Sequence, residues 1–417
     1  MSRLSTSLAP CLDCSQDCPI KGDLQSFYHA AREVSEVRPY LSSLVSQLFA
    51  CLRQMVGDRQ IKDAESLGVA LGAVFDLCLS LLYAERVANT GWLYCPSSPA
   101  TSFYPYLRSC PRCGKYNDTK DSPSHKPSSD TIGRYTTACL GAILSETCRV
   151  SRNGFRVQFL SSSQGDVDMI IFNNETLVLC EVKASPLYLL PVCVLHKKPL
   201  EDENGPVPTH KITDVPDLDN TSLYLHLVGE LRIPLRRVRD GGSRRFALRS
   251  GRKNRELCEI LKAVIDAWAK MYEGYTSRWS QNEQLRWFTC GCGGGVDDSK
   301  NAPGLDRTDD IKKGIYQMLK IAEKYRRGCK EKRVRVALLS NIHPVVHYEE
   351  YLKGFEDALW THEADVQEQR GRIVSIDSDN LLPFYDMLLT LTRSWFRGER
   401  LERAFSLQTL YHALGGS

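Results

Sequence analysis

The chain has 417 residues, a formal net charge of +4 at pH 7 and 42% hydrophobic residues. So long a chain exceeds one ordinary domain and leaves room for two or three, and so apolar a composition excludes an intrinsically disordered protein. The nearly balanced charge excludes nucleic-acid binding by bulk charge, so any such affinity has to come from local clusters.

The N-terminal stretch brings Cys11, Cys14 and Cys18 together between Pro10 and Pro19. Apolar residues then recur at three-to-four-residue spacing over 24–56 and 64–87, which predicts two helices. The segment LGVALGAVFDLCLSLLY contains Asp76 and falls short of a comfortable membrane span, so it reads as a buried core helix with no membrane role. No basic, apolar, cleavable leader is evident, and a cytoplasmic location is expected. Sixteen cysteines without an export signal then point to reduced thiols or metal ligands instead of disulfides. The knuckle Cys110-Pro-Arg-Cys113-Gly suits a tetrahedral metal, with Cys95 fifteen residues upstream. A structural zinc site built from Cys95, Cys110, Cys113 and Cys14, with Cys11 and Cys18 as alternates, follows, and iron or an iron–sulfur cluster fits the same thiolates. The isolated Cys51, Cys78, Cys139, Cys148, Cys180, Cys193, Cys258 and Cys329 sit in apolar surroundings and read as small core residues.

A Ser/Pro/charge segment, NDTKDSPSHKPSSD, marks the best boundary, dividing a helical, metal-binding region at 1–125 from the rest at 126–417. Residues 131–148 read as a helix, which Asp130 or Thr131 caps. A strand FRVQFL and a turn SSSQG follow, and then comes GDVDMIIFNNETLVLCEVKAS, two apolar runs joined by a polar turn at 173–176. Alternation puts Asp168, Ile170 and Phe172 on one face of the first strand and turns Asp166 the other way; Glu181 and Lys183 share a face of the second. Two carboxylates and a lysine at neighbouring strand ends are the equipment of magnesium-dependent phosphodiester hydrolysis. Asp168 and Glu181 hold the cation, Lys183 contacts the attacking water and the scissile phosphate, and Asp166 is the fallback ligand if the register slips.

Residues 186–304 then interrupt the pattern as an insertion. Within it LRRVRDGGSRRFALRSGRKNR carries eight Arg and one Lys against one Asp, with glycines that keep it flexible. Arg236, Arg237, Arg239, Arg244, Arg245, Arg249, Arg252 and Lys253 are therefore the expected contacts to double-stranded DNA. Helical periodicity returns over 256–275 and again over 309–327, where acids open the helix and Lys/Arg close it. VRVALLSN reads as a buried strand. The remaining residues, 346–417, read as C-terminal helices for packing or dimerisation, including HYEEYLKGFEDALW and LLPFYDMLLTLTRSWF. No phosphate-binding Gly-x-x-x-x-Gly-Lys-Ser/Thr loop and no Rossmann glycine fingerprint occurs.

The order helix, three strands with Asp168 and Glu181-Val182-Lys183, helix, strand resembles the core of the PD-(D/E)xK nucleases, over residues 131–186 and 305–345. Gly165-Asp166 stands where the family name has its proline. The resemblance implies an α/β fold with a mixed central sheet flanked by helices, the Val182 carbonyl as a further magnesium ligand, and a water-mediated contact from Glu146 on the opening helix. It also carries Gln317 toward the site; Tyr325, eight residues on, does not match the family's spacing of four. A self-contained nuclease with its own insertion resembles a type II restriction endonuclease, a magnesium-dependent, site-specific enzyme on double-stranded DNA working as a homodimer. The alternatives are a repair or recombination nuclease with a cysteine-bound iron–sulfur cluster, and a metal-stabilised DNA-binding protein that cuts nothing.

Overall fold

The computed structural model describes residues 38–87, 91–95, 98–103, 129–159, 166–188, 190, 192–195, 201–202, 205–206, 209–211, 223–226, 232–240, 243–248, 254–277, 303–326, 334–363, 366–376 and 381–417. In chain order the principal elements begin with helices α1 (Arg38–Gly57) and α2 (Ala64–Val87), strands β1 (Gly91–Cys95) and β2 (Ser98–Phe103), and helix α3 (Ser129–Ser151). Strands β3 (Arg156–Phe159), β4 (Met169–Phe172) and β5 (Leu177–Val182) come next. They are followed by β6 (Val192–Leu195), β7 (Thr209–Lys211), β8 (Leu223–His226), β9 (Arg232–Asp240) and β10 (Ser243–Leu248). Helices α4 (Asn254–Thr276) and α5 (Thr308–Arg326) lead to strands β11 (Val334–Ser340), β12 (Met387–Thr390) and β13 (Trp395–Phe396), and helices α6 (Glu399–Phe405) and α7 (Leu407–Ala413) close the chain.

The fold is α/β, with a mixed six-stranded sheet in the order β13-β12-β11-β5-β4-β3. β3, β4 and β5 form an antiparallel meander, whereas β5, β11 and β12 run parallel. Every residue of β5 is buried, and all but Arg335 of β11, which is why both read as near-continuous apolar runs. The pleat divides this sheet between two cores. Met169, Ile171, Val178 and Cys180 face helices α1 to α4, while Ile170, Phe172, Leu177 and Leu179 pack beneath α5 against Ile311, Met318, Ile321 and Tyr325. The two strands meet at the predicted turn. Asn173 N–H donates to the Thr176 carbonyl at 3.0 Å, and Asn173 Oδ1 accepts from Glu175 N–H at 2.9 Å and Thr176 N–H at 2.8 Å.

Helix α2 is long and apolar enough to cross a membrane over Ala64–Leu82, and 83% of that window is buried inside the protein, in keeping with a core helix. Its Asp76 is fully buried. Oδ2 accepts from the Tyr188 N–H and from Trp268 Nε1–H of α4, both at 2.7 Å, and one turn earlier Gly72 leaves room for the same indole. Asp306, also buried, ties the entry to α5: it accepts from Tyr275 Oη–H of α4 and from the N–H groups of Val345, Val346 and His347 at 2.7, 2.9 and 3.1 Å. The sheet under α5 is braced by Asp386, which accepts from Arg326, from Arg335 at 3.1 Å and from the Val336 N–H at 2.8 Å.

Several expectations are corrected. LLPFYDMLLTLTRSWF is not a helix: Leu382–Pro383 pairs with Leu359–Trp360, then come β12 and β13. A short apolar run has no period that separates a buried strand from a buried helix, and here the parallel partner β11 decides. HYEEYLKGFEDALW is helical only to Glu356. The region 1–125 is not purely helical, because β1 and β2 join β6 to β10 in a seven-stranded sheet of order β10-β9-β8-β6-β2-β1-β7. Strands of the insertion therefore share a sheet with strands of the N-terminal region. Much of its basic segment is strand: β9 and β10 pair antiparallel from Leu235–Leu248 to Asp240–Ser243, with Leu235 and Leu248 buried. Cys78, Cys139, Cys148 and Cys180 are free and buried as expected, but Cys51 of α1 and Cys258 of α4 form a disulfide. A separation of 207 residues carries no sequence signal for that pairing.

Candidate active site

Asp168 stands just before β4, and the register Met169 with Cys180 places it beside the end of β5. Its backbone N–H donates to the Cys180 carbonyl at 3.0 Å, and its Oδ2 accepts from the Val182 N–H at 2.9 Å, which fixes the carboxylate on the terminal turn of the ladder. That bond sets Asp168 beside Glu181, the residue preceding Val182, and the Asp168 charge bears on the Glu181 carboxyl. Glu181 in turn accepts from Lys183 Nζ–H. The Lys183 N–H donates to the Leu339 carbonyl at 2.9 Å, so the parallel ladder to β11 holds the lysine even past the end of the strand. All three side chains lie on the α5 face of the sheet, with Ile170, Phe172, Leu177 and Leu179. Asp168, Glu181 and Lys183 are thus neighbours in space.

Burial, and then the Asp168 charge, pushes the Glu181 carboxyl well above the usual carboxylate range, against the pull of the Lys183 ammonium. Burial works against the charge on Lys183 too, but Glu181, Asp168 and Asp310 outweigh it and raise the ammonium pKa. Burial and the neighbouring Asp168 charge thus favour the protonated form of Glu181. Among the described residues no group of three or more His, Cys, Asp or Glu side chains is set to hold a metal. Two carboxylates and a neighbouring carbonyl nevertheless fit magnesium, which keeps several waters and takes one or two carboxylates from a protein. The buried Gln317 Oε1 has no hydrogen-bond partner, so one more hard oxygen is uncommitted on the helix that covers the site.

Helix α5 supplies what the sequence reading missed. Gly314 lets it come close: a Cβ there would stand 3.1 Å from Leu338 Cδ1 and 3.6 Å from Lys183 Cγ. Asp310, one turn earlier, adds its charge to the field at Lys183. The sequence signal was a glycine inside an otherwise good helix, which often marks close packing. Asp166 does not face away as expected. It meets the same helix, accepting from Lys320 Nζ–H at 2.6 Å with Lys324 Nζ at 3.7 Å, because the residues before Met169 precede the regular strand and are freed from its alternation. Glu146 is buried on α3, and its carboxylate is engaged by Arg149 of its own helix, Nε to Oε2 at 2.7 Å.

The remaining candidates divide by position. Arg236, Arg237 and Arg239 lie on β9 and Arg244 and Arg245 on β10, with Arg239 opposite Arg244. Cys95 ends β1 at an irregular register step. Cys11, Cys14, Cys18, Cys110, Cys113, Arg249, Arg252 and Lys253 lie outside the described residues. No known protein family, no curated protein and no solved structure matches this chain.

Proposed function

We propose that this chain is a magnesium-dependent deoxyribonuclease with a PD-(D/E)xK-type core, acting on double-stranded DNA at a specific sequence in the manner of a type II restriction endonuclease. One observation carries the reading: Asp168, bonded to the Val182 N–H, and Glu181 stand at adjoining strand ends, with Lys183 bonded to Glu181 on the same face. The helix, three-stranded meander, helix and parallel strand that surround them follow the expected order. The β9–β10 pair carries Arg236, Arg237, Arg239, Arg244 and Arg245 on a two-stranded ribbon, an element the major groove admits, which supports a duplex as partner.

Asp168, Glu181 and the Val182 carbonyl would hold magnesium, which supplies positive charge against the negative charge that gathers on the phosphoryl oxygens. Lys183 has a raised pKa and stays protonated, so it presents its ammonium to the scissile phosphate and hydrogen-bonds the attacking water. Glu181 holds that ammonium in place, and the Asp310 charge adds to the field around it. Gly314 keeps α5 from crowding it. Palindromic cutting would require a two-fold dimer.

Digestion of a plasmid of known sequence with Mg²⁺, followed by mapping of the ends, tests the proposal. Discrete fragments are expected. Asp168→Ala and Glu181→Ala should each abolish cutting while retaining duplex binding, and Lys183→Ala should lower the rate more than the metal affinity. Normal cutting by either carboxylate variant overturns the assignment, as does a wild-type chain that binds duplex and cuts nothing with Mg²⁺ or Mn²⁺.

A further inference from the structure

Helix α5 has three distinct flanks at 100° per residue. Ile311, Met318, Ile321, Ala322 and Tyr325 are buried against the sheet. Asp310 and Gly314 border the site, through the Asp310 charge on Lys183 and the close approach of Gly314 to it. Just beyond them, Lys313, Lys320 and Lys324 follow one another along the helix, with Tyr316 beside them at 65% exposure. Lys320 and Lys324 reach Asp166, two residues ahead of Asp168, so this row of ammonium groups meets the segment that leads into the acidic pair. Asp309 opens the flank and Glu323 borders it, and between them it carries only lysines, Tyr316 and Gln317.

An isolated acidic site repels the polyanion it has to cleave. Lysines at its rim offset that repulsion, and an exposed tyrosine hydroxyl is a further common donor to phosphate oxygens. Solvated lysines alone are unremarkable on a helix. Their alignment beside Asp166, together with an aromatic side chain left in water, favours a negatively charged, ridged partner.

We propose that the Lys313–Tyr316–Lys320–Lys324 flank of α5 is the phosphate-backbone track of the substrate duplex, which sets the scissile phosphate over Asp168 and Glu181 without reading sequence. This rests on the nuclease reading and divides the labour: α5 positions, and the arginine hairpin specifies. Asp166 holds two of the lysines at the rim, ready to share them with a phosphate.

The test measures fluorescence anisotropy of the full chain on a 20-base-pair duplex, with Ca²⁺ replacing Mg²⁺, from 50 to 300 mM KCl. Replacing Lys313, Lys320 and Lys324 together by Gln should weaken binding at least tenfold at 150 mM, equally for every duplex sequence. It should also reduce the slope of log affinity against log salt by about three. Tyr316→Phe alone should weaken binding about threefold, the loss of one modest hydrogen bond. The triple variant's far-ultraviolet circular dichroism should match wild type, since all three lysines lie on the surface; if it does not, Lys313→Gln alone should lower the slope by about one. An unchanged slope in a folded variant overturns the proposal while leaving the nuclease reading intact. A reduced slope in a chain that never cuts DNA keeps the track and sinks the catalytic assignment.

Discussion

Asparagine at position 76 isolates the cost of a buried carboxyl group. Asp76 is fully buried on α2, and burial pushes its pKa up to about 8, against the pull of hydrogen bonds from Tyr188, Trp268 and Leu187. In an unfolded chain the same group has a pKa of about 3.9. The folded state therefore keeps a proton that the unfolded chain has already lost. The resulting stability is complete below about pH 4 and falls away as pH rises toward the folded value, by about 1.4 kcal/mol per pH unit. Asparagine keeps an acceptor oxygen for the Tyr188 and Trp268 N–H groups and cannot ionise. Between pH 5.5 and pH 7.5, wild type should thus lose on the order of 2.7 kcal/mol more than Asp76→Asn, two units at the same rate. Urea unfolding of both proteins at both pH values measures this, because a change in midpoint at constant slope is a change in stability. Equal pH dependence in the two proteins would refute the reasoning and show that Asp76 ionises in the fold without penalty.

Two further substitutions probe the supports of the site. Asp386→Ala leaves Arg326, buried at the end of α5, without its counter-charge and should cost about 3–5 kcal/mol by thermal unfolding. Most of that should return in the double variant with Arg326→Leu, and an Asp386→Ala protein as stable as wild type would show the pair to be dispensable. Gly72→Ala puts a methyl group 2.4 Å from the Trp268 ring and should cost about 1–3 kcal/mol, partly relieved by Trp268→Phe. An unchanged denaturation midpoint would mean that α2 and α4 shift apart freely.

The sequence by itself determined the pieces whose signal is local. Apolar period gave α2, α3, α4 and α5, because each buries one stripe or a whole surface regardless of its partner. Two-residue alternation with an Asn-rich turn gave the β4–β5 hairpin, and with it the meeting of Asp168, Glu181 and Lys183, since pairing across a short turn leaves almost no choice of register. Tertiary structure decided whatever depends on a distant partner. Residues 387–390 become a strand because β11 lies beside them, and β1 and β2 share a sheet with strands from the insertion. Cys51 meets Cys258 because α1 packs on α4. Gly314, Asp310 and the lysines of α5 acquire their meaning only when that helix lies across the strand ends. Burial, charge repulsion and close approach are properties of spatial neighbours, and a chain position names its neighbours only where the connection is short.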